Sequence, residues 1–210
     1  MLTINQIFAA TGCNLPTLTA HYPSLLAACE LRSINTPQRL SAFLANVIHE
    51  TDGFSSLIER LSYSNPLRIV QVFRKFDQDK DRVADPEEIE FAKLFVRNPI
   101  KLANFAYDQR FGNSKPGDGW RYRGRGMFCT TFYDNYLAAS YDLGYDFVAD
   151  PDALALPPYA ARSAAFFWFQ HNLNASADKA NFYHITKTIS GSGATHHERM
   201  LIYNKLIKCF

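Results

Sequence analysis

The sequence predicts a mainly α-helical fold. Apolar residues recur at three- and four-residue steps, proline follows capping residues at the expected helix starts, and few stretches alternate with period two. With 210 residues, 47% of them hydrophobic and 20% charged, the chain is expected to form a single domain over residues 1–210 around one sizeable core.

The elements follow in order. Thr36-Pro37 opens a helix, with Thr36 at the N-cap and Pro37 at the first helical position. Leu40, Phe43, Leu44, Val47 and Ile48 then form its apolar face, and Gly53 stands where a stop is expected. Asn65-Pro66 opens a second helix through Leu67, Ile69, Val70 and Phe73. A third is expected from Pro86 to Val96 and a fourth from about Ile100 to Tyr107. The glycines between Gly119 and Arg125 suggest a short hairpin. Tyr159–Phe169, rich in alanine and aromatics, reads as a largely buried helix. No repeat, low-complexity run or linker interrupts the chain.

Charge and composition narrow the function. A net charge of +2 is too balanced for a dedicated nucleic-acid binder. It allows weak attraction to an anionic surface such as a cell wall. The N-terminal Met-Leu-Thr-Ile-Asn-Gln-Ile-Phe lacks the basic segment and apolar run of a signal peptide, so synthesis in the cytoplasm is expected. No apolar stretch reaches membrane-spanning length. The four cysteines, Cys13, Cys29, Cys129 and Cys209, show no CxxC spacing and are expected to be reduced thiols.

The segment Lys115–Gly126 holds four glycines, three arginines, Trp120 and Tyr122. Glycine lets backbone approach a ligand closely, while the aromatics and arginines supply stacking faces and rigid donors. It reads as the wall of a binding cleft. The candidate chemistry is a pair of carboxylates. Glu50 ends the Thr36 helix beside its buried face, where burial and the negative helix end both disfavour the charged form. Such a glutamate suits general acid work. Glu59 lies past the Gly53 turn. Two carboxylates in different surroundings are the minimum for glycoside hydrolysis, standing roughly 6.5–9.5 Å apart in an inverting enzyme. The spacing alone also fits two ordinary surface glutamates.

Two metal motifs are partly present. His49-Glu50 begins like a zinc-protease HExxH, but the second ligand position is Gly53, and the adjacent pair His196-His197 cannot face one point from a helix. Asp77, Asp79, Asp81, Asp85 and Glu88 occupy positions 1, 3, 5, 9 and 12 of an EF-hand-like loop, with Arg82 where glycine is usual. The expectation is a metal-independent protein. The loop is kept as a candidate calcium site that would brace its neighbours rather than take part in chemistry.

Together these residues resemble glycoside hydrolase family 19, in the version found in phage endolysins and related bacterial chitinase-like enzymes. The resemblance rests on His49–Phe54, Glu59 with Leu61–Ser64, Asn104–Tyr107, Arg110–Asn113, Gly117–Gly126, Asp134–Tyr136, Asp150-Pro151, Ala164–Trp168 and the Ile189–Gly193 turn. It covers about residues 36–200. It implies a lysozyme-like, two-lobed helical domain with a central cleft, and inverting hydrolysis of β-1,4-linked N-acetylated sugars. Glu50 would be the general acid and Glu59 the general base. Thr131 would help hold the water, and Tyr63, Trp120, Tyr122 and Asn135 would line the sugar subsites. Trp120 also fits core packing beneath the loop. Cys129 stands where the family has a substrate-contacting Gln, Ser190 where it has Asn, and Phe132 where it has Gly. Altered affinity or preference is therefore expected.

The resemblance implies a bacteriolytic endolysin that cuts peptidoglycan. It would be monomeric, lack a separate wall-binding domain, and reach the periplasmic wall through a membrane-permeabilising holin. The rivals are a chitinase acting on N-acetylglucosamine oligomers, an interbacterial toxin with an immunity partner, a non-catalytic sugar-binding relative, and a lytic transglycosylase.

Overall fold

The structure, a computed structural model, describes residues 2–210. These residues form α-helices, short 3-10 turns and loops. Among the described residues, pairing between extended segments is limited to two isolated bridges, Ile58 with Arg125 and Arg125 with Thr130. The helices are α1 (Ile4–Thr11), α2 (Leu15–Leu31), α3 (Pro37–Glu50), α4 (Pro66–Val72), α5 (Pro86–Ala92) and α6 (Pro99–Tyr107). They continue with α7 (Asp118–Arg121), α8 (Tyr133–Leu143), α9 (Tyr159–Gln170), α10 (Leu173–Asp178), α11 (Phe182–Ser190) and α12 (His196–Leu206). The mainly α prediction holds.

The chain divides into two compact units. One comprises the residues up to Ile58 together with Arg125–Thr130 and Ala139–Phe210; the other is Glu59–Gly124 with Thr131–Ala138.

In the first unit α3 is the central element. Thr36 accepts a hydrogen bond from the Arg39 amide, and Pro37 takes the first helical position, where its missing N–H costs nothing. Every residue from Leu40 to Ile48 is buried. This is more than the single apolar face in the sequence pattern, because α10, α11 and α12 all pack on α3. Phe43 meets Phe128 and Trp168 edge-on, each with centroids 5.4 Å apart, a favoured aromatic geometry. The Tyr159 helix is buried along its alanines and Trp168, as its composition suggests. Gly53 adopts a left-handed φ and its amide bonds to Ile48 O, so it closes the α3 terminus. None of the four cysteines is in a disulfide, and burial pushes the Cys29 thiol up to about 12.

The second unit is organised around aromatic rings. Phe76 packs against Phe91, Phe95 and Phe105, with centroids 5.8 Å, 5.0 Å and 4.8 Å away. The predicted third helix is split: α5 ends at Ala92 and a 3-10 turn covers Lys93–Phe95. The hairpin expected between Gly119 and Arg125 is instead the one-turn helix α7 followed by an irregular segment. Asp118 accepts from the Ser114 and Lys115 amides and starts that turn. Gly119 is required by packing: a Cβ there would press on Ala103 O and stand 2.7 Å from Asn104 Cα.

His21 in α2 is buried, and its Nδ1 has no hydrogen-bond partner among the described residues. Burial holds its pKa below the usual value, because desolvation disfavours the imidazolium. Unfolding therefore takes up a proton as pH falls. The stability that neutral His21 contributes is present above about pH 6.5 and is lost as pH drops below it. His21→Leu is expected to flatten the fall in thermal midpoint between pH 7 and pH 5. Unchanged acid sensitivity in that variant would show that other groups set it.

Candidate active site

The carboxylate of Glu50, the last residue of α3, accepts from Arg199 Nη2 at 2.5 Å. Arg199 on α12 is 2% exposed and is held at two further points, Nη1 to Asn46 Oδ1 at 2.8 Å and Nε to Thr195 Oγ1 at 3.0 Å. Asn46 is wholly buried and its amide in turn donates to Ala42 O. A planar guanidinium suits this arrangement, because its donors leave in fixed directions. Sequence reading credited Glu50 with burial and a helix end alone; the fold places a positive charge against it as well. Arg199 was missed because it sits in His196-His197-Glu198-Arg199, a run that reads as a solvated helix start. Next to Glu50, His49 has its pKa lowered, first by burial and then by Arg199.

Glu59 belongs to the second unit. One of its oxygens accepts from the Tyr107 hydroxyl, the other from the Gly124 amide at 3.1 Å, and its own amide donates to Gly124 O at 2.8 Å. Desolvation raises the Glu59 pKa above the ordinary glutamate value, and this outweighs the opposing pull of Tyr107, Gly124 and the Arg123 charge. Such a group is a better base than an exposed carboxylate while it is still able to ionise. Its scaffold is local. Asn113, 2% exposed, donates to Tyr107 O and accepts from the Tyr133 amide, tying the two segments together.

The other predicted residues divide clearly. Tyr63 is half-buried, and burial and the Glu59 charge raise its pKa. Trp120 is half-buried with the Arg123 guanidinium 3.9 Å from its ring centroid, so stacking and packing are both served. Tyr122 is 4% exposed, its ring packed against Tyr133 and Tyr136, so the structure places it beneath the loop rather than at a surface. Asn135 is exposed and donates to Thr131 O, while Thr131 is half-buried. Cys129 is half-buried, with its φ in the left-handed region. The Ser190 hydroxyl bonds to Thr186 O and Ser192 O, which commits it to closing the turn after α11.

The glycine-arginine segment is shared between the units. Within the first, Arg125 is 2% exposed and grips Asp152 through Nε and Nη2, at 2.9 and 2.7 Å. Gly126 has a positive φ, and a Cβ there would lie 2.8 Å from Ser163 Oγ, so only glycine fits without strain.

In the calcium-loop candidate, Asp77, Asp79 and Asp81 bring carboxylate oxygens within 4.8 Å of one another. Arg82 adopts a left-handed φ, the turn usually given to glycine at that position. Asp85 and Glu88 lie outside this group. Glu88 is buried and accepts from the Gln78 and Asp85 amides, closing the start of α5.

On this mainly helical scaffold the first unit thus carries a glutamate locked to an arginine, and the second a desolvated glutamate in a polar cradle. Comparison with known proteins supplies the family. A glycosyl hydrolase family 19 domain-containing protein from Haemophilus influenzae is 32% identical over 208 residues, which is 98% of this chain and 94% of the relative. The chain therefore belongs to glycosyl hydrolase family 19 and is a glycoside hydrolase. No protein-family model matches it. Among solved structures, a bacterial family 19 chitinase superposes with a TM-score of 0.60 at 19% identity, covering 99% of this chain and 93% of its own. Chitinase C from Streptomyces griseus superposes at 0.59 and 19% identity, covering 99% and 91%. These likenesses show the fold.

Removing the buried cation should be costly. Arg199→Met is expected to lower stability by about 3 kcal/mol, since it strips a charged partner from Glu50 and leaves the buried Asn46 Oδ1 without its donor. Arg199→Lys should recover only part of this, because an ammonium cannot match the guanidinium fork. Denaturant titration of both variants checks it; equal stability of Arg199→Met and wild type would show that the node is dispensable.

Proposed function

We propose that this protein is a peptidoglycan hydrolase of the endolysin type. It cuts β-1,4 bonds of the glycan strand by inversion, with Glu50 as general acid, Glu59 as general base and Thr131 helping to hold the attacking water. It is produced in the host cytoplasm as a monomer and reaches the wall once a holin has permeabilised the membrane. Among the described residues no helix is long and apolar enough to cross a membrane. The observation that carries the mechanism is the setting of Glu59: a desolvated carboxylate with a raised pKa, oriented on both oxygens by Tyr107 and Gly124. The order of motifs along the chain supports the endolysin reading.

In this mechanism Glu50 gives its proton to the leaving oxygen as the glycosidic bond breaks. Glu59 takes a proton from water as the new C–O bond forms on the opposite face. Each Glu→Gln variant should lose at least about 100-fold in kcat, the usual contribution of a positioned acid or base. Rescue separates the roles. Activated aryl glycosides should restore Glu50→Gln, which no longer protonates the leaving group, and azide should restore Glu59→Gln, which no longer activates water. The opposite pattern would support the exchanged assignment. Full activity in either variant would falsify the two-carboxylate mechanism.

Tyr107→Phe removes a hydroxyl that favours ionised Glu59, so the Glu59 pKa should rise further. A base must be deprotonated, so the acid limb of kcat/KM should move to higher pH. A limb that stays in place would show that Tyr107 does not tune it.

The chitinases among the structural neighbours favour a second reading, hydrolysis of N-acetylglucosamine oligomers. Digesting purified sacculi and chitin side by side, with mass spectrometry of the product ends, distinguishes the two; reducing-end fragments from sacculi are the expected result. Co-expression with a holin tests the lytic role, and a drop in culture turbidity only when both are present is expected.

A further inference from the structure

We infer that the cavity beside Glu59 selects glycan strands bearing carboxylate substituents, an inference that rests on the peptidoglycan reading above. The cavity, of about 720 Å³, lies within the second unit and is lined by Glu59, Tyr107, Arg74, Lys75, Asp108 and Arg110 among others. Its volume falls in the range of sites that enclose a ligand.

Its charge is unbalanced. Three cationic side chains line it against two carboxylates. Glu59 is already satisfied by the Tyr107 hydroxyl and the Gly124 amide and lies close to the Arg123 charge. Among the lining residues, that leaves Asp108 as the one further acid against Arg74, Lys75 and Arg110. Two of the cations rest on aromatic faces. Arg110 lies 5.1 Å from the Phe132 centroid and 5.6 Å from that of Phe111, and Lys75 Nζ lies 5.0 Å from the Phe105 centroid, within cation–π reach. Ring contact restrains a long side chain and reduces the entropy lost when it later meets an anion. A neutral N-acetylglucosamine polymer offers these cations hydrogen-bond acceptors but no opposite charge. Peptidoglycan carries carboxylates on every muramic unit, either on the stem peptide or, where the peptide has been removed, on the lactyl group. Charged groups at such a site discriminate between substrates more than they raise affinity for any one.

The test compares wild type with Arg74→Gln/Arg110→Gln and with Lys75→Gln on three substrates: intact sacculi, glycan strands stripped of peptide by an amidase, and neutral chitin oligomers. For the double variant, kcat/KM on sacculi should fall about tenfold relative to its value on chitin oligomers, as expected for losing partly enclosed charge-assisted contacts. The loss should appear in KM and fade at high ionic strength, where exposed charges are screened. Selective loss on sacculi alone would identify the stem-peptide carboxylates; loss on sacculi and on stripped strands would show that the cations also read the lactyl carboxylate freed by the amidase. Equal loss on all three substrates, or none, overturns the inference while leaving peptidoglycan cleavage intact. Should wild type cut chitin oligomers but not sacculi, the peptidoglycan reading fails separately. The cavity is then read by the inhibition constant of soluble muropeptides, and an unchanged constant in the double variant overturns it.

Discussion

The first unit depends on one buried guanidinium. Arg199 carries a full positive charge at 2% exposure, and such a charge is tolerated only where its donors have partners. Glu50, Asn46 and Thr195 provide those partners, two of them on α3 and one at the start of α12. The ion pair therefore fixes the register of α12 against α3 and orients the carboxylate at the end of α3. The same contacts explain how Asn46, a polar residue in the buried Leu40–Ile48 run, keeps its side-chain amide hydrogen-bonded.

The second unit solves a different problem, holding a glutamate in low-dielectric surroundings while keeping it able to ionise. Desolvation pushes the Glu59 pKa up, and the Tyr107 hydroxyl, the Gly124 amide and Arg123 pull it down. The two candidate carboxylates thus sit in different surroundings, one in an ion pair with Arg199 and the other buried among hydrogen-bond donors. Separation of roles between paired carboxylates rests on differences of this kind.

The helices with strong local signals were legible. Thr36-Pro37 and Asn65-Pro66 name their own helix starts because capping is a contact within a few residues. α12 was not legible, because its buried face includes an arginine and the pattern of apolar residues conceals it. The break between α5 and its 3-10 extension followed from aromatic packing around Phe95. The Gly119–Arg125 hairpin was a misreading of glycine. Gly119 is needed for close approach to Ala103, a demand that only another segment of chain can impose. Tyr122 carried a signal for ring chemistry but none for direction, and it packs inward on Tyr133 and Tyr136.

The sequence by itself determined the helical class, the principal capped helices, the glycine-arginine segment and the two glutamates, because these rest on residue type and short spacing. The tertiary structure alone decided that Glu50 meets Arg199, 149 residues away, that Glu59 meets Tyr107 and Gly124, and that three cations share a cavity with Glu59. The physical reason is that burial and electrostatic pairing depend on distance in space, and distance along the chain does not encode it.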